Sequence, residues 1–130
     1  MDVPITSETT FEFFDDGYYF EIITIQDNIK SRANTVSGTR TVKYKNGDTV
    51  LWTVSLNASF IYTGSSATCT SSSVSTTCPS SAWKITNKSA SKSENTATAK
   101  VTAKQYLAGI SIQTVNKTVT LSCDDNGKLS

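Results

Sequence analysis

Between residues 50 and 62 every even position is apolar: Val50, Trp52, Val54, Leu56, Ala58, Phe60 and Tyr62. The positions between them, Leu51, Thr53, Ser55, Asn57, Ser59 and Ile61, are mostly polar. On a helix of 3.6 residues per turn the seven side chains would scatter around the axis. On an extended chain, where successive side chains point to opposite sides, they line up as one stripe. The segment therefore predicts a strand with one buried face, and that face has to be covered by another layer. At about 3.3 Å per residue it would run for roughly 40 Å, longer than a usual strand, so it is expected to bend or to contribute to two sheets.

Period-two alternation continues along the chain, and no segment has helical spacing. Residues 10–14 and 18–25 flank Asp15-Asp16-Gly17, and residues 39–45 lead through Asn46-Gly47-Asp48 into the long strand. Both connections have the Asp-Gly or Asn-Gly chemistry of hairpin turns. Residues 83–87 and 96–106 form further strands joined by a polar connection over 88–95, and Ala97, Ala99, Val101 and Ala103 make a small-residue face. Residues 109–123 close the set, and their apolar phase switches between Ile112 and Val115, which predicts a bulge or turn near Gln113-Thr114. Residues 63–81 hold 13 Ser or Thr in 19 positions and read either as a flexible loop or as an edge strand wetted on both faces. Seven or eight strands with short polar links predict an all-β, antiparallel β-sandwich. Cys69, Trp83 and Cys123 also fall near the Cys…Trp…Cys rhythm of immunoglobulin domains. Leu121 stands in place of the corner tyrosine and only seven residues follow Cys123, so "immunoglobulin-like" describes the architecture alone.

Charge divides the chain. Residues 1–27 carry seven acids and no base, whereas residues 28–130 carry twelve bases and four acids. The expected organisation is an acidic N-terminal hairpin arm, residues 1–27, packing on a β-sandwich body, residues 28–130. The arm would dock on its own body or on a neighbour's, the latter giving a homodimer. The net charge of +1 gives no general attraction to nucleic acid. No apolar run approaches the roughly 20 residues of a membrane span.

With 19 serines, 21 threonines and 18% charged residues, the composition is that of exported β-domains. Met1-Asp2-Val3-Pro4 lacks the basic start and apolar stretch of a secretory signal, so the expectation is a secreted or cell-surface chain shown without its signal. Cys69, Cys78 and Cys123 lack the paired spacing of zinc ligands. Cys123 shares a strand face with Val115, Val119 and Leu121, which turns its sulfur toward the core and makes Cys69–Cys123 the preferred disulfide. A local Cys69–Cys78 bond and three packed thiols are the alternatives.

Reactive constellations are scarce. The absence of histidine removes the commonest general base and metal ligand. Ser89-Ala90-Ser91-Lys92 lies in a polar connection rather than on a helix, and Glu12 and Glu21 are expected to face each other across the first hairpin as a solvated pair. Asp15-Asp16-Gly17 and Asp124-Asp125-Asn126-Gly127 lack the alternating carboxylates and closing glutamate of a calcium loop and read as turns. No cofactor or metal is implied, and the chain reads as non-catalytic. Among the aromatic residues Trp52 belongs to the buried stripe. Trp83, beside Ser80, Ser81 and Lys84, and Tyr62 are the candidate binding residues, able to stack on a sugar ring.

Several runs together carry a family resemblance: Gly38-Thr39-Arg40-Thr41-Val42-Lys43-Tyr44, Leu51-Trp52-Thr53-Val54, Phe60-Ile61-Tyr62-Thr63-Gly64-Ser65-Ser66-Ala67-Thr68-Cys69, Ala97-Thr98-Ala99-Lys100-Val101-Thr102-Ala103-Lys104 and Thr118-Val119-Thr120-Leu121-Ser122-Cys123, ending in Gly127-Lys128-Leu129-Ser130. Over residues 38–130 the chain resembles small exported Ser/Thr-rich proteins of Gram-positive gut bacteria, an uncharacterised family of unknown function. The resemblance implies secretion and favours Cys69–Cys123 pairing with Cys78 as an extra. It brings no catalytic residues. The expected function is thus a secreted or cell-surface non-catalytic binding or structural module whose partner is a surface glycan or protein. The alternatives are a lectin-like carbohydrate-binding module and a membrane-acting, pore-forming β protein, for which the Ala and Val faces of residues 96–123 are too small to make an apolar band.

Overall fold

The computed structural model describes residues 5–14, 16–27 and 34–130, which form eight antiparallel strands and no helix. In chain order they are β1 (Ile5–Phe13), β2 (Tyr18–Asp27), β3 (Thr35–Asn46), β4 (Thr49–Tyr62), β5 (Ala67–Thr77), β6 (Trp83–Ser93), β7 (Thr96–Leu107) and β8 (Ile110–Ser122). The first five make one sheet in the order β1-β2-β3-β4-β5, and the last three make a second in the order β6-β7-β8. The architecture is a β-sandwich. Each sheet is a simple meander, every strand lying beside its neighbour in sequence, rather than the crossed-over connectivity of immunoglobulin domains. Among the described residues no helix is long and apolar enough to cross a membrane.

The stripe on β4 is the floor of the core. Trp52, Val54, Leu56, Ala58 and Phe60 are all buried, with Val50 and Tyr62 half-buried at its ends. Of the two expectations for so long a run, bending or serving two sheets, the second does not hold: the strand stays within one sheet along its whole length. Irregular register absorbs the twist instead, once against β3 at Tyr44/Lys45 and once against β5 at Ser59/Phe60. The facing β7 offers Ala97, Ala99, Val101 and Ala103, all buried. Large side chains on one layer thus meet small ones on the other, which lets the two layers interdigitate at crystal-like density. At one end aromatic rings join the layers: Tyr44 on β3 stacks on Trp52 at 5.2 Å and meets the edge of Trp83 from the second sheet at 5.4 Å. The indole nitrogen of Trp52 is buried there without a hydrogen-bond partner.

The Ser/Thr-rich stretch contains an edge strand, β5. The polar connection expected over residues 88–95 is mostly strand as well. β6 runs on to Ser93 and turns at Glu94, whose φ is +53°. Its second half is exposed, so no apolar alternation marks it. The bulge in the last hairpin sits one residue before the expected place: Gln105 pairs with Gln113 and Tyr106 with Ser111, which leaves Ile112 unpaired.

The acidic hairpin is continuous with the larger sheet, because β2 pairs with β3 from Tyr18↔Asn46 to Asp27↔Ser37. The proposed boundary between residues 27 and 28 abuts residues outside those described, as does Asp15 of the first turn. Two of the acids meet bases of the same chain, Glu21 with Lys45 at 3.3 Å and Glu12 with Lys117 at 3.1 Å.

The disulfide expectation is corrected: Cys69, Cys78 and Cys123 are free thiols. Each sulfur is satisfied locally, donating to the carbonyl of Ser71 at 3.3 Å, Trp83 at 3.2 Å and Asp124 at 3.3 Å respectively. Cys69 and Cys123 are buried as small apolar groups, as the packed-thiol alternative has it. The C-terminal turn folds beside Cys123, where Asp124 Oδ1 accepts from the backbone N–H of Asn126 and Lys128. Gly127 there has φ +87°, and a Cβ on it would lie 2.5 Å from the Tyr62 ring.

Burial, with the carboxylates of Asp124 and Asp125 nearby, pushes the Cys123 thiol from its ordinary 9.0 up to about 11. Burial, with Asp16 close, likewise pushes the Tyr44 hydroxyl from 10.0 up to about 12. Both groups lose their protons more readily in the unfolded chain, so the stability they contribute is complete below about pH 9 and is lost as the pH rises through 11 to 12. Burial raises the Cys69 and Cys78 thiols as well, so urea titrations across this range are expected to show a decline whose lower part shrinks in Cys123→Ala and whose upper part disappears in Tyr44→Phe.

Candidate functional site

A five-stranded sheet facing a three-stranded one leaves inner surface uncovered. At the β8 edge of the smaller sheet, the inner faces of β1 and β2 extend past their cover. The sequence is written accordingly. The inward positions of β1 are Glu8, Thr10 and Glu12, paired in register with Thr24, Ile22 and Phe20 of β2. A carboxylate on the inner face of a covered strand would be costly to desolvate, but on an overhang it borders an open groove.

The groove has two connected parts. One, of about 270 Å³, is lined by Glu8, Thr10, Thr24, Arg40 and residues 117–120 of β8. The other, of about 440 Å³, is lined by Glu12, Phe14, Asp16, Tyr44, Gln113 and Asn116, among others. Lys117 lines both. Its Nζ lies 3.1 Å from Glu12 Oε1 and 4.5 Å from the centre of the Phe20 ring, so one cation bridges a carboxylate and an aromatic face. Arg40 crosses between the layers, donating from Nε to Thr24 Oγ1 at 2.8 Å and from Nη1 to the Thr120 carbonyl at 2.6 Å. Burial lowers its pKa, opposed by Glu8. Phe14, 41% exposed, packs edge-on against Phe20 at 5.5 Å and forms an apolar flank.

The groove therefore offers two cations, three carboxylates, the amide of Gln113, several hydroxyls and an aromatic wall. That set can hydrogen-bond a polyhydroxylated ligand from several sides while a ring packs against one of its apolar faces. No group of three or more potential metal ligands occurs among the described residues.

The candidate binding residues named from the sequence, Trp83 and Tyr62, lie elsewhere. Trp83 is 3% exposed and edge-on to Tyr44 in the core, so its ring has no face to offer a ligand. The polar neighbours that suggested exposure sit in the adjoining turn. Tyr62 is half-buried at the opposite end of the sandwich, beside Gly127. Glu12 and Glu21 do not oppose each other: Glu12 pairs with Phe20, Glu21 with Phe11, and they stand on opposite faces. Lys117 was overlooked, though it had a signal. It interrupts the core-facing phase Val115, Val119, Leu121, and a charge on a buried phase marks a place where the cover ends.

Compared with known proteins, the chain matches no family model, no curated protein and no solved structure.

The Glu12–Lys117 pair is open to solvent, with side-chain exposures of 51% and 20%, so its coupling should be small. A double-mutant cycle with Glu12→Gln and Lys117→Met is expected to give under about 1 kcal/mol of coupling in thermal or urea unfolding, diminishing with salt. A coupling of several kcal/mol would assign these charges to holding the fold together.

Proposed function

We propose that this protein is an exported, non-catalytic binding module that holds an oligosaccharide in the groove between the β1–β2 hairpin and β8. The observation carrying this reading is the uncovered inner face, where Lys117, Glu12 and Gln113 converge beside the exposed ring of Phe14. These are directional donors and acceptors next to an apolar surface, the combination that a sugar with hydroxyl edges and C–H faces requires. The outer face of the same hairpin adds a cluster of rings: Phe13 lies 5.3 Å from Tyr19 and 5.9 Å from Phe11, and Phe13 is 72% exposed. Hydroxyl-rich, lightly charged surfaces support an extracellular setting.

The test is a glycan array followed by isothermal titration of the positive sugars. Saturable binding is expected, weakened at least about tenfold, or ~1.4 kcal/mol, by Gln113→Ala with Glu12→Ala, while Trp83→Phe leaves affinity unchanged. No saturable binding to any glycan, or binding indifferent to the groove substitutions, would overturn the reading.

A further inference from the structure

The outer face of the smaller sheet has a different character from the groove. The registers of β6–β7 and β7–β8 place on this one side Lys84, Asn87 and Ser89 of β6, Lys104, Thr102, Lys100 and Thr98 of β7, and Thr114, Asn116, Thr118 and Thr120 of β8. It carries lysines, amides and hydroxyls and no carboxylate. The one acid of the β6–β7 hairpin, Glu94, lies in the turn at the far end, roughly 30 Å along the strands from Lys84.

The lysines are arranged against the interest of the fold. Lys84 and Lys104 are directly opposite each other across the β6–β7 ladder, where like charges are destabilising. Lys84 Nζ is held 5.7 Å above the Tyr106 ring, and Lys100 follows on the same face, roughly 13 Å along the strand from Lys104. Between the strands a shallow depression of about 210 Å³ is lined by Asn87, Ser89, Lys100, Thr102, Asn116 and Thr118. Thr102 Oγ1 donates to Asn116 Oδ1 across its floor at 2.8 Å, leaving the amide N–H groups of Asn116 to face outward partners.

We infer that this face binds a linear anionic polysaccharide, its carboxylate, sulfate or phosphate groups meeting Lys84, Lys104 and Lys100 and its hydroxyls meeting the Ser, Thr and Asn ranks between them. Charge complementarity along a flat, acid-free row of lysines selects a polyanion. The chemistry between the lysines selects a polysaccharide over a nucleic acid, because single strands are held by stacking bases on exposed aromatic rings. The one ring on this face, Tyr106, is half-buried with Lys84 over it. This inference goes beyond the groove reading and does not depend on it.

The experiment measures binding of the full chain to polygalacturonate, heparin, neutral dextran and single-stranded DNA over a salt series, with Lys84→Gln/Lys100→Gln/Lys104→Gln and with Lys128→Gln as a control outside the face. Polygalacturonate or heparin should bind at low salt and release as salt rises, and the triple variant should bind at least about tenfold more weakly with a shallower salt dependence. The triple variant should melt at the wild-type temperature or above, since an opposed like-charge pair has been removed. Oligosaccharide binding in the groove should be untouched. Absence of binding to either anionic polysaccharide, equal loss in Lys128→Gln, or DNA binding as tight as that of the polysaccharides would each overturn the inference.

Discussion

The structure depends on the contact between β4 and β7, where large side chains of one sheet sit on small side chains of the other. Trp52, Leu56 and Phe60 project from one layer, and Ala97, Ala99 and Ala103 recede from the other. Neither face can be exchanged for the other's chemistry. Bulky residues on β7 would force the layers apart, and alanines on β4 would leave voids whose cost grows with their volume, several kcal/mol for a large side chain. The rings of Tyr44 and Trp83 close the same seam at one end, so burial there is aromatic rather than aliphatic. A chain with so few large apolar residues has little other surface from which to build a core.

From that seam the remaining features follow. Its position under β3, β4 and β7 leaves β1 and part of β2 without a layer above them, and the inward residues there are Glu8, Thr10, Glu12 and Thr24, while Phe20 and Ile22 of β2 still reach the core. Polar groups on an inward face are tolerable only where water reaches, which makes the overhang a groove rather than a core. The charge asymmetry between residues 1–27 and the rest belongs to this geometry as well. Glu12 on the overhang meets Lys117 from the facing edge, and Glu21 on the outer face meets Lys45 from the adjoining strand. Lys84, Lys100 and Lys104 have no part in this matching and face outward on the smaller sheet.

Strand periodicity made the fold class legible, because alternation over residues 50–62 and 97–103 admits only one backbone. What escaped was whatever lacks an apolar phase. Residues 88–93 have Ser and Lys at nearly every position, yet they form half of β6 because β7 supplies the hydrogen bonds, a tertiary contribution that composition cannot report. Trp83 illustrates the converse: its neighbours Ser80, Ser81 and Lys84 are polar, but one strand face points the indole inward regardless. The groove was unreadable as a site because it arises from a count, five strands against three, that no local pattern encodes. Lys117 was its one local trace. Cys123 was placed correctly toward the core, and the step from there to a bond with Cys69 was the part that did not hold.

Native-state hydrogen exchange tests the seam most directly. The account predicts that amides of residues 52–60 exchange only through global unfolding, at the free energy found by urea titration, while those of β1, at the open edge, exchange through openings of much lower energy. Exchange of residues 52–60 through local opening well below the global value, or protection of β1 equal to theirs, would contradict it.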